Sequence, residues 1–115
     1  MFSELPMFKI IDAMARHAAE SQKVSATNIA HADEPGYKAM TIETFGSFLE
    51  RMPTDGAATD FRIRQANTPQ SPNGNSVSLE TELFNSADAM SQHQLALSIY
   101  TKSLDMLRTA IGRRG

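Results

Sequence analysis

The side chains able to do chemistry are few in this chain, and their spacing suits none of the usual chemistries. The histidines are His17, His31 and His93, and no two of them have the helical i,i+3 or i,i+4 spacing that places a pair of imidazoles on one metal. Asp12 with Glu20, and Glu80 with Glu82, are the candidate carboxylate pairs for general acid–base work, yet each reads as ordinary solvated helix charge. Cysteine is absent, which excludes disulfides, thiolate nucleophiles and thiolate zinc sites. There is no glycine-rich phosphate loop, nucleophile elbow or HExxH helix. His93 falls on an apolar stripe and reads as a packing or hydrogen-bonding residue. The expectation is a non-enzyme with no catalytic residue, no cofactor and no metal.

Composition narrows the remaining classes. A chain of 115 residues allows one domain at most, with a small core. A formal net charge of −2 supplies no electrostatic reason for a nucleic-acid partner. No apolar run approaches the ~20 residues that span a bilayer, so no direct membrane insertion is expected. Met1 to Ile11 lacks the basic start and continuous apolar core of a secretory signal. If the protein leaves the cytoplasm, it must use another route.

The elements follow from periodicity and from breakers. Ser3 and Pro6 mark a helix start, and Met7 to Ala32 contains neither proline nor glycine. Ile11, Ala15, Ala18, Gln22, Ser25, Ile29 and Ala32 follow one another at alternating four and three, a heptad seam of mostly small residues. Such a helix is about 39 Å long. Its small seam buries little apolar area, so it needs neighbours. Glu34 precedes Pro35 and is pushed out of helical dihedrals, and Pro35-Gly36 suits the centre of a type II turn. Beyond it, Thr44 to Arg51 can form a short helix, and Phe61 to Gln65 one short strand without a sheet. From Pro53 to Ser76, prolines, glycines and asparagines accumulate, and the stretch reads as a long mobile connector.

The second long helix carries the clearest period. Leu83, Met90, Leu97, Leu104 and Ile111 recur every seven residues, with Leu79, Ser86, His93, Tyr100 and Leu107 as the companion set. Phe84, Leu95, Ile99 and Met106 add apolar surface elsewhere, so this helix needs more than one partner. Ser76 or Ser78 would cap its start, Glu80 and Glu82 would sit in its first turn, and Gly112 would end it. From Val77 to Ile111 it would run about 52 Å. The expected fold is mainly α: two long terminal helices pair as an antiparallel coiled-coil-like hairpin. A long irregular or partly disordered connector with at most short strands joins them. The segments are 1–34, 35–76 and 77–115.

Two motifs resemble a known family. Asn28-Ile29-Ala30 followed by Pro35-Gly36-Tyr37-Lys38-Ala39 is similar to the signature near the amino terminus of bacterial flagellar basal-body rod proteins. Gly74-Asn75-Ser76-Val77-Ser78-Leu79-Glu80 is similar to that family's run into its terminal helix, with further likeness at Met90, Gln94, Tyr100, Met106-Leu107 and Ala110-Ile111. His31, Glu34 and His93 stand where the family commonly has asparagine, threonine and tyrosine. The short length resembles proximal members, which lack the large insertions of distal rod and hook proteins.

The resemblance implies a structural, torque-transmitting subunit of the periplasmic proximal rod, exported through the flagellar type III apparatus. Implied partners are copies of itself, other proximal rod proteins, the ring-to-rod adaptor, the membrane-ring protein and the export gate. Asn28, Ile29, Ala30, Pro35, Gly36 and Tyr37 would form an assembly corner. Ile11, Ala18, Ser25, Leu83, Met90, Leu97, Leu104 and Ile111 would form the helix-packing seam. Phe45 and Leu49 fit a loose export-gate element, as do Phe48 and Met52, although packing of these phenylalanines is the commoner role. The alternative is a small helical adaptor or export-chaperone-like protein that binds one partner helix in its groove.

Overall fold

A computed structural model of the chain describes residues 6–52 and 60–112. Ser3, Pro53, Gly56 and the basic pair Arg113-Arg114 lie outside the described residues. In chain order the elements are α1 (Pro6–Ala30), β1 (Met40–Ile42), α2 (Phe45–Arg51), β2 (Ile63–Gln65) and α3 (Leu79–Gly112). The fold is mainly helical, with two long helices packed against each other and a short two-stranded sheet beside them.

Pro6 opens α1 at the position where a missing N–H costs nothing. Thr44 caps α2, its hydroxyl accepting from the Ser47 N–H at 3.1 Å. Ser78 caps α3: its hydroxyl accepts from the Thr81 N–H at 3.3 Å and its carbonyl from the Glu82 N–H at 2.9 Å. Asp12 and Arg16 pair across one turn of α1 at 3.1 Å, an exposed contact of small energetic consequence.

α1 and α3 run antiparallel. Met7 Sδ lies 3.9 Å from the Ser103 hydroxyl at one end, and Asn28 meets Glu82 at the other. Between them, Phe8 packs edge-on to Tyr100 at 5.4 Å. The core is thin. Phe8, Ile11 and Ala96 form its centre, with Met14, Ala15, Leu104 and Leu107 packed against it. The molecule measures 68 × 26 × 16 Å, so most of α3 has protein on one side only.

Here the structure corrects the packing seam. Ile11, Ala18 and Ser25 of α1 are buried. On α3, however, the inward stripe is Glu82, Ala89, Ala96 and Ser103. Leu83, Met90, Leu97 and Ile111 are exposed, and only Leu104 is half-buried. Small residues on both helices allow close approach of the backbones, and large side chains then rotate to the flanks. Hydropathy had selected the large residues one position along.

The connector is corrected as well. β2 pairs antiparallel with β1 in the register Met40↔Gln65, Thr41↔Arg64, Ile42↔Ile63, so the strand does belong to a sheet. The described part of the connector, from Asp60 onward, is tied back by hydrogen bonds. A second small cluster supports it. Phe48 is buried against Phe61 at 4.6 Å, beside His17 and Phe45, while Arg16 and Arg51 lie over the rings of Phe61 and Phe48. The sheet thereby joins the connector to α1.

Candidate functional site

The strongest concentration of specific interactions is the corner after α1. α1 ends at Ala30, with the His31 N–H still donating to the Thr27 carbonyl at 3.3 Å, and residues 31–33 form a turn. The Tyr37 N–H donates to the Glu34 carbonyl at 3.2 Å across Pro35-Gly36, and Gly36 has φ 78°. That positive φ strains any residue with a Cβ, which is the physical reason for glycine there. His31 donates from Nδ1 to the Thr27 carbonyl at 2.8 Å, and its ring stacks on Tyr37 with centroids 4.6 Å apart. Both bonding and stacking are therefore available with histidine at this position.

Asn28 is the centre of the corner. Its side chain is wholly buried and makes four hydrogen bonds. Nδ2 donates to the Met40 carbonyl at 2.7 Å and to Glu82 Oε2 at 2.9 Å. Oδ1 accepts from the Met40 N–H at 3.0 Å and the Tyr37 hydroxyl at 3.1 Å. One amide thus serves α1, the turn, β1 and α3, and its bonding capacity is filled. Glu82, expected among the solvated charges of the first turn, is instead 5% exposed and completes this network. Its place near the amino end of α3 also suits a carboxylate.

The second sequence motif folds onto the first. Asn75 is buried, and its Nδ2 donates to the His31 and Glu34 carbonyls at 2.9 and 2.7 Å. Its Oδ1 accepts from the Val77 N–H at 2.8 Å. The Gly36 N–H donates to the Asn73 carbonyl at 3.0 Å, and Lys38 Nζ to the Gly74 carbonyl at 2.8 Å. Ser76 does not cap α3; its hydroxyl accepts from the Ala39 N–H at 2.8 Å. Gly74 has φ 85°, and a Cβ there would come within 3.3 Å of Gly36 Cα. Ile29 is half-buried, while Ala30, Pro35 and Gly36 are exposed at the outer rim. The two motifs, separate in sequence, form one hydrogen-bonded knot.

A second polar centre lies at the base of α2. Arg51 donates from Nε to Glu43 Oε1 at 3.0 Å and from Nη2 to Oε2, and the Arg62 N–H donates to Oε2 at 2.6 Å. The Arg51 hydrogen bonds lower the Glu43 pKa most, burial opposes them, and the Arg62 N–H assists, so that it falls from 4.5 to about 2. Because the folded pKa is depressed, the stabilisation is complete above pH 4.5 and disappears as the pH falls towards about 2. A carbon-detected titration of the Glu43 carboxyl is expected to show a midpoint near about 2, moving towards 4.5 in Arg51→Gln. A wild-type midpoint at the ordinary glutamate value would overturn this assignment.

His17 donates from Nε2 to the Glu43 carbonyl at 2.7 Å, which leaves Nδ1 buried and without a hydrogen-bond partner among the described residues. It borders a cleft of about 380 Å³ together with Ser25, Glu82 and Asp88. Among the described residues, no group of three histidine, aspartate or glutamate side chains is placed to hold a metal ion. His93 is half-buried on α3, and Phe45 is half-buried beside His17. Leu49 is 37% exposed, whereas Phe48 is buried and unavailable to a partner in the folded chain.

Sequence reasoning missed Glu82, Glu43 and Arg51. A buried carboxylate in a first turn has no local signature, and the Glu43–Arg51 pair joins residues on opposite ends of a short helix. No helix among the described residues is long and apolar enough to cross a membrane. Compared with known proteins, the sequence matches no family model, and no curated protein is significantly similar to it.

Proposed function

We propose that the chain is a structural subunit of the proximal rod of a bacterial flagellar basal body, assembling helically with copies of itself and with neighbouring rod proteins. The observation that carries this reading is the apolar surface α3 leaves uncovered on two flanks. Leu83, Met90 and Leu97 lie along one, and Leu95, Ile99 and Met106 along the other, with Ser91, Ser98 and Asp105 between them. Each Leu or Met brought from water into an interface contributes ~1.5–3 kcal/mol. Two such flanks suit a helix that meets a different neighbour on each side.

In the assembled rod, the terminal helices pair with one another and with their neighbours as a coiled-coil-like inner layer. The knot around Asn28 holds the exit of α1 at a fixed angle to α3, and torque passes through packed helices without a chemical step. Export is through the flagellar type III apparatus in an unfolded state, in which Phe45 and Leu49 become free to meet the export gate. The ring-to-rod adaptor and the membrane-ring protein are the inner neighbours, and the site of action is the periplasmic rod.

Disruption of the gene is the direct test. Loss of filaments with basal bodies arrested before rod completion is the expected result, and normal motility would overturn the proposal. Mixed with other rod subunits, the purified chain should give ordered helical polymers by electron microscopy. A stable soluble one-to-one complex would favour the helical adaptor.

A further inference from the structure

The two-stranded sheet has two outer edges, and the chain treats them differently. Glu43 N–H donates to the Arg62 carbonyl at 2.9 Å, and Ala66 N–H to the Ala39 carbonyl at 2.8 Å, on either side of the Thr41↔Arg64 pair. These are the hydrogen-bonded pairs of the ladder, so the backbone groups of Met40 and Ile42 on one strand, and of Ile63 and Gln65 on the other, point away from it. On the β1 side, Asn28 takes both groups of Met40. On the β2 side, no group among the described residues takes those of Ile63 or Gln65, and all three strand residues are exposed. The β1 edge is closed at Met40, whereas neither outward position of the β2 edge has a partner among the described residues.

The open edge has a distinct charge. Arg62 and Arg64 project from the same face of the strand, both exposed, and neither joins an ion pair among the described residues. Glu43, the carboxylate opposite Arg62 across the ladder, is already held by Arg51. On the opposite face, Ile63 borders a cleft of about 590 Å³ together with Phe61, Arg16, Glu20 and Lys23. Edge-to-edge pairing of two copies would set arginine against arginine across the new ladder, which is unfavourable.

We propose that the outer edge of β2 is a docking site for an extended acidic segment of a partner protein. That segment adds a third strand, pairing its backbone with Ile63 and Gln65. Carboxylates at alternate positions face Arg62 and Arg64, and an apolar side chain between them enters the cleft beside Ile63. Main-chain bonds supply affinity in this mode, and the alternating side chains supply selectivity. This site is independent of the rod assignment and of the flanks of α3.

The test uses the full chain and an eight-residue capped peptide alternating valine and glutamate, with the valine–lysine analogue as control. The expected result is slowing of amide exchange at Ile63 and Gln65 by about tenfold or more with the glutamate peptide alone, weakened by salt. Arg62→Glu with Arg64→Glu should reverse the preference between the two peptides. Gln65→Pro removes one outward N–H without touching the β1–β2 bonds and should abolish binding. Equal response to both peptides, protection confined to α3, no protection at saturating peptide, or full binding by Gln65→Pro would each overturn the proposal.

Discussion

Replacement of Asn28 by alanine is expected to cost about 2–4 kcal/mol, the largest effect of any single side-chain truncation in the corner. The wild-type amide fills four bonds at once, so its loss strands the Met40 N–H and carbonyl, the Tyr37 hydroxyl and the Glu82 carboxylate. Glu82 matters most, because a carboxylate only 5% exposed loses its one side-chain donor among the described residues. Domains of this size are stable by roughly 0.05–0.15 kcal/mol per residue, so such a loss is a large share of the total. Urea unfolding followed by circular dichroism measures it, and faster exchange of the Met40 amide localises it.

Asn28→Asp separates the hydrogen-bond account from simple packing. The aspartate fills the same volume but turns a second oxygen towards the Glu82 carboxylate and the Met40 carbonyl. At neutral pH it should therefore be at least as destabilising as alanine, with partial recovery in acid as the introduced aspartate carboxyl binds a proton. Wild-type stability in Asn28→Ala would show that the network is a bystander to folding.

The second large effect concerns adjacent residues with opposite roles. Leu97→Glu is expected to leave the single chain folded, within about 0.5 kcal/mol of wild type, because the leucine is already 49% exposed. The same variant should abolish ordered assembly, since a charge would then have to enter an interface built on that flank. Ala96→Leu should do the reverse, destabilising the chain by about 1–3 kcal/mol, because Ala96 is fully buried between the long helices. Thermal melts of the two variants, with electron microscopy of mixtures with rod subunits, resolve the pair. If Leu97→Glu unfolded the single chain, the hydropathic seam and not the alanine stripe would be the interface inside the molecule. If it folded and assembled normally, the flank would have no part in the proposed rod assembly.

Electrostatics at Glu43 and the edge of β2 show a different kind of dependence on fold. Glu43 owes its low pKa first to Arg51 across the short helix α2 and then to the Arg62 N–H on the approach to β2, which meets it only when the sheet forms. The free edge of β2 exists because the register leaves Ile63 and Gln65 turned outward. A slip of one residue would exchange the two sets of backbone groups, turning Ile63 and Gln65 inward and parting Glu43 from the Arg62 N–H.

Local chemistry determined the places where elements begin and stop. Pro35 and Gly36 fix the turn that follows α1 by steric exclusion and positive φ, Thr44 and Ser78 supply caps, and an unbroken heptad period makes α3 long. These effects act within a few residues and are legible in any window that contains them. The tertiary structure alone decided which stripe of α3 faces inward, and that Asn28, Glu82 and Asn75 share one buried network. Hydropathy ranks residues by size and apolarity, whereas two helices approach most closely where their side chains are small. A polar side chain also carries no mark of the distant partner that will bury it. The short strands paired for the same reason: their partners lie across a connector whose composition describes only its turns.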